Sequence, residues 1–158
     1  MALVNTKQKE KGFTIIEVVL VLAIAGLIFM MVFIALPALQ RSQRDTQRKN
    51  DLSRAQTAVT SYASNNRGSL PAGTNVAWNA FATNYLKSNG DSFADPTGPD
   101  YVFIVNGTVS ASFDPANPDI VATLGATCDG ENAVTGQGAR KVALQMKLEG
   151  GGIACVNN

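Results

Sequence analysis

The chain has 158 residues, is 46% hydrophobic and carries a formal net charge of +1, so we expect one domain with its own core and no overall field that attracts nucleic acid. It contains no histidine, which excludes His-containing catalytic triads and removes the usual general base at neutral pH. We therefore expect a non-enzymatic protein with no catalytic residue, no metal and no cofactor.

A short basic leader precedes a long apolar segment. Residues 1–12 carry three lysines against one glutamate, and every residue of 13–36 is apolar except Thr14, Glu17 and Gly26. As a helix, that segment would span roughly 36 Å, enough to cross a hydrocarbon core about 30 Å thick. No small-residue cleavage site follows it, so the pattern favours a transmembrane helix over a removable secretory signal.

The junction between leader and apolar segment has a specific motif. Residues 11–17, Lys-Gly-Phe-Thr-Ile-Ile-Glu, resemble the processing site of type IV prepilins and pseudopilins. The resemblance implies that a prepilin peptidase cuts after Gly12 and methylates the new amine of Phe13. It also implies assembly of a helical homopolymer by a membrane platform and ATPases, in which Glu17 of an incoming subunit meets the amine of an assembled one.

The position of Glu17 supports this interpretation physically. An ionisable residue in a transmembrane segment costs roughly 2.5–3.5 kcal/mol on insertion scales and therefore calls for compensation. Cleavage after Gly12 would create an amine at Phe13, one helical turn away. The alternative is a signal-anchor helix with an incidental glutamate near its interfacial end.

Two helix-weakening residues, Gly26 and Pro37, lie in the long segment. Proline removes a backbone donor and clashes with the preceding turn. The resemblance implies a departure from regular helix between these two residues in the filament, and a simple kink at Pro37 is the alternative.

The region after the apolar segment is basic, with five positive charges against two aspartates between residues 41 and 54. The positive-inside rule alone would place it in the cytoplasm, whereas the processing site and the cysteine pair favour export. Arg41, Arg44 and Arg48 fall on roughly one helix face and would suit DNA, but no aromatic stacking partner lies among them. We favour a solvated face that makes ion pairs.

Helical patterns continue beyond Pro37. Residues 37–66 predict a head-proximal helix whose polar first half would be ordered mainly by neighbouring subunits. Its second half has apolar residues at helical spacing facing the head's core, namely Leu52, Ala55, Val59, Tyr62 and Ala63. Trp78, Phe81 and Tyr85 predict a short helix over 76–87 with these side chains in the core rather than on a ligand platform.

Strand patterns follow a turn at residues 95–100, where turn chemistry is favoured over a calcium site because no oxygen-rich loop is present. Strands are predicted at 101–105 and 108–113, joined in a hairpin by Asn106-Gly107, and again at 120–126. The alternation over 141–148 predicts a half-buried strand, and a glycine run leads into a last strand at 153–156.

The two cysteines, Cys128 and Cys155, predict one disulfide in an exported domain, with two buried free thiols as the alternative. The segment they bound resembles the C-terminal D-region of type IV pilins. The predicted fold is α+β: a long hydrophobic helix continuing into a head, residues 67–158, with a small antiparallel sheet packed on the helix.

These patterns favour a type IV pilin, made as a single-pass membrane precursor and then assembled into an extracellular filament serving adhesion, twitching motility or DNA uptake. A pseudopilin of a type II secretion or competence system shares the N-terminal motif. A membrane-anchored DNA- or glycan-binding module is the third hypothesis.

Overall fold

The computed structural model describes residues 12–158, so the predicted leader lies outside the described residues apart from Gly12. The chain divides into two compact units, one ending at Leu39 and the other comprising Gln40–Asn158. The elements in chain order are helix α1 (Ile15–Asn65), helix α2 (Asn75–Tyr85), a 3-10 turn (Ser88–Gly90), and strands β1 (Val102–Val105), β2 (Asp119–Leu124), β3 (Thr127–Asp129), β4 (Asn132–Val134), β5 (Val142–Lys147) and β6 (Ile153–Asn157).

The first unit contains the apolar part of α1. By length and composition, α1 is a helix that could cross a membrane, and none of its apolar window is buried within the protein. Gly26 and Pro37 both lie inside the helix. Pro37 has no N–H, so the carbonyl of Phe33 lacks its usual helical partner. The predicted loss of regular helix between Gly26 and Pro37 concerns the filament and stays a prediction.

The second unit has its own hydrophobic core. Leu52, Ala55 and Val59 of α1 are fully buried against α2 and the sheet, and Tyr62 packs at the margin, as the sequence predicted. The predicted short helix is α2, which begins after Thr74, whose Oγ1 accepts a hydrogen bond from Ala77 N. The core also includes Trp78 and Phe81 of α2, Phe93 from the connection before β1, and Phe103, Ile120, Leu144 and Met146 of the sheet.

The α+β class is confirmed, with a small sheet packed on the long helix. The four-stranded sheet has the order β1-β2-β5-β6, and the predicted antiparallel pairing holds for β2–β5 and β5–β6. β1 and β2 instead run parallel, with Val102 opposite Asp119.

The hairpin predicted at Asn106-Gly107 is wrong. Asn106 adopts a positive φ of 49°, yet its side chain accepts a hydrogen bond from Leu124 N (2.9 Å) and so joins the ends of two parallel strands. Residues 106–118 are the crossover that a parallel pair requires, and residues 108–113 form no strand. Local turn chemistry was therefore overridden by the pairing of β1 with β2.

Strand β5 is buried on both faces, so the prediction of a half-buried strand is wrong. Leu144 and Met146 belong to the core, while Gln145 on the other face is covered as well and donates from Nε2 to Glu131 O (2.7 Å). Glu131 lies in the tight turn between β3 and β4. The hairpin β3–β4, which the sequence did not predict, therefore covers this second face.

Candidate functional site

The start of α1 is closed by reciprocal hydrogen bonds between Thr14 and Glu17. Glu17 N donates to Thr14 Oγ1 (3.3 Å), while Thr14 N and Thr14 Oγ1 donate to Glu17 Oε2 (2.9 and 2.8 Å). This is a capping box, in which the residue before the helix and the third helical residue satisfy each other's backbone donors. A carboxylate at this end also interacts favourably with the helix dipole.

The capping box leaves part of the Glu17 carboxylate free. Both hydrogen bonds go to Oε2, and Oε1 has no hydrogen-bond partner within residues 12–158. Glu17 can therefore cap its own helix and still offer one oxygen to an external cation.

The residues at the predicted cleavage point are accessible. Gly12 and Phe13 precede the helix, and Phe13 is 89% exposed. A Cβ built on Gly12 would meet no atom within 4 Å, so nothing in the described chain covers this peptide bond. The structure thus brings Phe13, Thr14 and Glu17 together at one helix end.

The capping role of Thr14 is the part of this site that the sequence interpretation missed, although the residue belongs to the motif. Its signal was present, because threonine followed three residues later by glutamate before an apolar run is the capping-box spacing. The sequence interpretation assigns Glu17 only to pairing with an amine and does not consider its role at the helix end.

A second cluster of charged residues lies inside the head around Arg48, whose side chain is fully buried. Arg48 Nε and Nη2 donate to the two carboxylate oxygens of Asp95 (2.6 and 2.8 Å), and Nη1 donates to Asp45 (2.9 Å) and Glu149 (3.1 Å). Its guanidinium carbon also lies 4.0 Å from the centroid of the Phe113 ring. One side chain thus links α1, the turn at residue 95 and the turn between β5 and β6.

The acidic partners are fixed by further bonds. Asp45 accepts from the backbone N–H groups of Glu149 and Gly150 (2.9 and 2.7 Å). Asp95 accepts from both the N–H and the hydroxyl of Thr97 (2.9 and 2.6 Å), which confirms turn chemistry at residues 95–100.

These bonds shift the pKa values of the cluster. Hydrogen bonding from Arg44 and Arg48 lowers the pKa of Glu149 to about 2, against the opposing effect of burial. Burial works to raise the pKa of Asp95, but hydrogen bonds from Arg48 and Thr97 outweigh it and lower that pKa. Burial likewise works to lower the pKa of Arg48, yet its three carboxylate partners raise it. Glu149, Asp95 and Arg48 are therefore ionised at neutral pH.

The prediction that the polar first half of the head-proximal helix would be ordered mainly by neighbouring subunits is wrong. Asp45, Arg48 and Asp51 are buried within the head itself. No local signal could reveal this, because Asp95 and Glu149 are distant in sequence.

The same contacts show whether the helix face of Arg41, Arg44 and Arg48 forms ion pairs or is free to bind DNA. Arg44 and Arg48 both bond to Glu149, so the predicted pair-making is confirmed, although Arg48 is buried rather than solvated. Arg41 remains 60% exposed, with Glu149 at 3.8 Å. Arginines already engaged with carboxylates are poor ligands for phosphates, which disfavours the DNA-binding hypothesis.

The predicted disulfide is present. Cys128 on β3 is bonded to Cys155 on β6, with a Cα–Cα distance of 5.9 Å. Cys128 N also donates to Asn157 Oδ1 (3.1 Å), so hairpin β3–β4 is attached to the last strand by a covalent bond and a hydrogen bond. The alternative of two free thiols is excluded.

Comparison with known proteins identifies the N-terminal site. Residues 7–33 match the family described as the prokaryotic N-terminal methylation motif, which is carried by type IV pilin-like and pseudopilin-like proteins, a structural and non-enzymatic class. The motif implies processing by a prepilin peptidase and pilus assembly, and with the apolar helix it suits a membrane-anchored precursor. No curated protein and no solved structure is significantly similar to the chain. The chain therefore carries, in residues 7–33, the signature of type IV pilin and prepilin-like proteins.

Proposed function

We propose that this chain is the precursor of a type IV pilin, the structural subunit of an extracellular filament that serves adhesion, twitching motility or DNA uptake. Residues 1–12 are the leader, 13–36 the membrane and filament-core helix, 37–66 the head-proximal helix, and 67–158 the exposed head. The observation that carries the proposal is the methylation motif at residues 7–33, placed at the start of a long apolar helix.

In this proposal a prepilin peptidase cuts between Gly12 and Phe13 and methylates the Phe13 amine. The exposed Gly12-Phe13 bond supports access by such an enzyme. The new ammonium of one subunit then pairs with Glu17 of the next, and the Oε1 atom, which has no hydrogen-bond partner within residues 12–158, supports that role. Each charge neutralises the other in a surrounding where neither is stable alone.

During assembly the apolar helix leaves the lipid and packs against the same helix of other subunits. Its large apolar side chains are exposed along its length, so a single chain cannot bury them. A bundle of such helices buries them and also tolerates the helix-weakening Gly26 and Pro37, because neighbouring helices shield the freed backbone groups.

N-terminal analysis of protein sheared from the cell surface tests the proposal. We expect the mature chain to begin with an N-methylated Phe13. The variant Gly12→Val should keep its leader, and Gly26→Val is a control because it adds the same side chain outside the cleavage site. A surface form that still contains residues 1–12 would contradict the proposal.

A pseudopilin remains the second candidate because it carries the same motif. The disulfide that bounds the C-terminal segment favours the pilin. Electron microscopy of the producing cells separates the two, since a pilin should form long surface filaments and a pseudopilin should not do so at its native level.

A further inference from the structure

The two edges of the four-stranded sheet differ in whether their backbone groups are occupied. At β1, Asn75 Oδ1 accepts from Val105 N (2.8 Å) and Asn79 Oδ1 accepts from Phe103 N (3.0 Å). Asn79 Nδ2 also donates to Phe103 O (3.2 Å). Two asparagines one turn apart on α2 therefore occupy this edge, and no further strand can pair there.

The opposite edge, β6, is largely unoccupied. Leu148 N donates to Gly152 O and Asn158 N donates to Val142 O, at the two ends of the β5–β6 ladder. In an antiparallel ladder the residues that bond to the neighbouring strand alternate with residues that do not, so these two bonds show that the even-numbered residues of β6 bond to β5. Every second residue of β6 therefore turns its backbone groups away from β5, namely Ile153, Cys155 and Asn157.

Within residues 12–158, one of these outward groups has a partner: Asn157 O accepts from Gln56 Nε2 (2.8 Å). The outward N–H and C=O groups of Ile153 and Cys155 have none. A groove of about 320 Å³ runs beside them, lined by Lys49, Leu52 and Ser53 of α1 and by Gly130. The edge thus combines unpaired backbone groups with room for an extended chain.

The same head contains an irregular segment, residues 107–113, without backbone hydrogen-bond partners in the described chain. Residues 107–113 alternate polar and apolar side chains, which is why the sequence predicted a strand there. None of their backbone N–H or C=O groups is hydrogen-bonded within the described chain. Most of the segment is exposed, while Phe113 is half-buried on Arg48.

Charge is also complementary between the two surfaces. Lys49 in the groove is exposed and forms no ion pair within residues 12–158. The segment is followed directly by Asp114, which is exposed. Hydrogen bonds from Asn117 and from Ala116 N–H lower the pKa of Asp114, so it is ionised at neutral pH.

We propose that β6 of one subunit pairs with residues 107–113 of a second copy, which adds a strand to the open edge. This inference rests on the proposed function, because it describes a contact between subunits of a homopolymer. The two surfaces are different parts of the head, so the contact is heterologous and leaves one free edge and one free segment for further copies. Pairing straightens the bend at Ala111 and Ser112.

Cross-linking in assembled filaments tests the contact directly. Ser110→Cys and Ile153→Cys are produced as two separate full-length variants in the same cell, and sheared filaments are treated with a short thiol-reactive linker that tolerates a shift in register. We expect a dimer that contains one copy of each variant. Dimers formed only between identical variants, or no dimer in intact filaments, would overturn the inference.

Proline variants test the backbone pairing. Strand N–H groups alternate in direction, so either Ser110→Pro or Ala111→Pro must remove a ladder hydrogen bond, and Ser110→Ala and Ala111→Ser are the controls. We expect one proline variant to yield about tenfold less sheared filament, with normal amounts of processed subunit in the membrane. Equal yields from all four would overturn the inference but leave the proposed function standing. Absence of filaments from the unaltered protein would overturn both.

Discussion

The two parts of helix α1 have the same backbone geometry but differ in what buries their side chains. In the apolar part, Ile15 is 83% and Phe33 is 75% exposed, whereas Leu52 in the head-proximal part is completely buried. Burying one such side chain contributes about 1.5–3 kcal/mol. The head-proximal part obtains that contribution from its own chain, and under the proposed function the apolar part obtains it from lipid or other subunits.

The charged residues follow the same division. The hydrogen bonds of the Glu17 side chain go only to Thr14, three residues away, within the part of the chain that the structure describes. Arg48 is bonded to Asp45, Asp95 and Glu149, which come from three separate segments of the head. The charges around Arg48 are thus paired within one chain, while one carboxylate oxygen of Glu17 has no partner among residues 12–158. Changes at Glu17 should therefore affect assembly, and changes at Arg48 should affect folding.

The largest effect is expected at Glu17. Glu17→Ala removes the cap and the charge, whereas Glu17→Gln keeps the capping box because glutamine can fill the same position. Under the proposed function, both variants should still be cut after Gly12 but should form little or no filament, because the partner ammonium is left unpaired. Western blotting of membrane and sheared fractions measures processing and assembly separately. Normal filaments from Glu17→Gln would show that Glu17 acts only as a helix cap.

The next largest effect is expected at Arg48. Arg48→Met would leave Asp45 and Asp95 without a cation, while Glu149 keeps its bonds to Arg44, and should destabilise the head by about 3–5 kcal/mol. Arg41→Met is the matched control, because Arg41 is mostly exposed and its removal should cost less than about 1 kcal/mol. Urea unfolding of a soluble head, residues 40–158, compares the two variants. Similar losses for both would contradict the distinction between a buried and an exposed arginine.

The Arg48 cluster also shows which parts of the fold were predictable. Residues whose partners are local were found from the sequence: the apolar segment, the helix of Trp78 and Phe81, and the turn at Asp95 all depend on spacing within a few residues. The burial of Arg48 depends on Asp95 and Glu149, which only the folded head brings together. Spacing along the chain contains no information on that contact.

The failed hairpin at Asn106 has a related cause. Asn-Gly favours a tight turn, but the side chain of Asn106 instead bonds to Leu124 in the neighbouring parallel strand. Pairing with β2 is a long-range choice that local turn preference cannot decide. At the N-terminal site, by contrast, all the residues lie between Gly12 and Glu17, and the sequence alone is sufficient to find them, although it does not reveal the capping role of Thr14.

A smaller effect is expected from the disulfide. Replacing both Cys128 and Cys155 with serine releases hairpin β3–β4 from β6 and should destabilise the head by about 2–4 kcal/mol. The change lies entirely within the head, so cleavage of the precursor after Gly12 should be unaffected. Urea unfolding of oxidised and reduced soluble head gives the stability, and mass spectrometry of the membrane form gives the cleavage site. A stability unchanged by reduction would contradict this prediction.

The smallest expected effect is a dependence of head stability on acid pH. The pKa of Glu149 is lowered from 4.5 to about 2 in the folded head, and the pKa of Asp95 is also lowered. As the pH falls from about 5 towards 2, the unfolded chain takes up protons that the folded head does not, so stability decreases. Burial raises the pKa of Asp51, which acts in the opposite direction and offsets part of this loss.

Because solvent screens the charges at the exposed side of the cluster, we expect the free energy of unfolding to decrease by only about 1–3 kcal/mol across that range. Glu149→Gln removes the titrating group, so its stability should start lower at neutral pH and decline less steeply in acid. Glu131→Gln is the control, because Glu131 lies outside the Arg48 cluster. Urea unfolding of the soluble head at a series of pH values measures each slope. A Glu149→Gln slope equal to that of the unaltered head would contradict this prediction, because the Glu149 carboxylate would then not link folding to protonation, and the acid dependence would have to come from other groups such as Asp95.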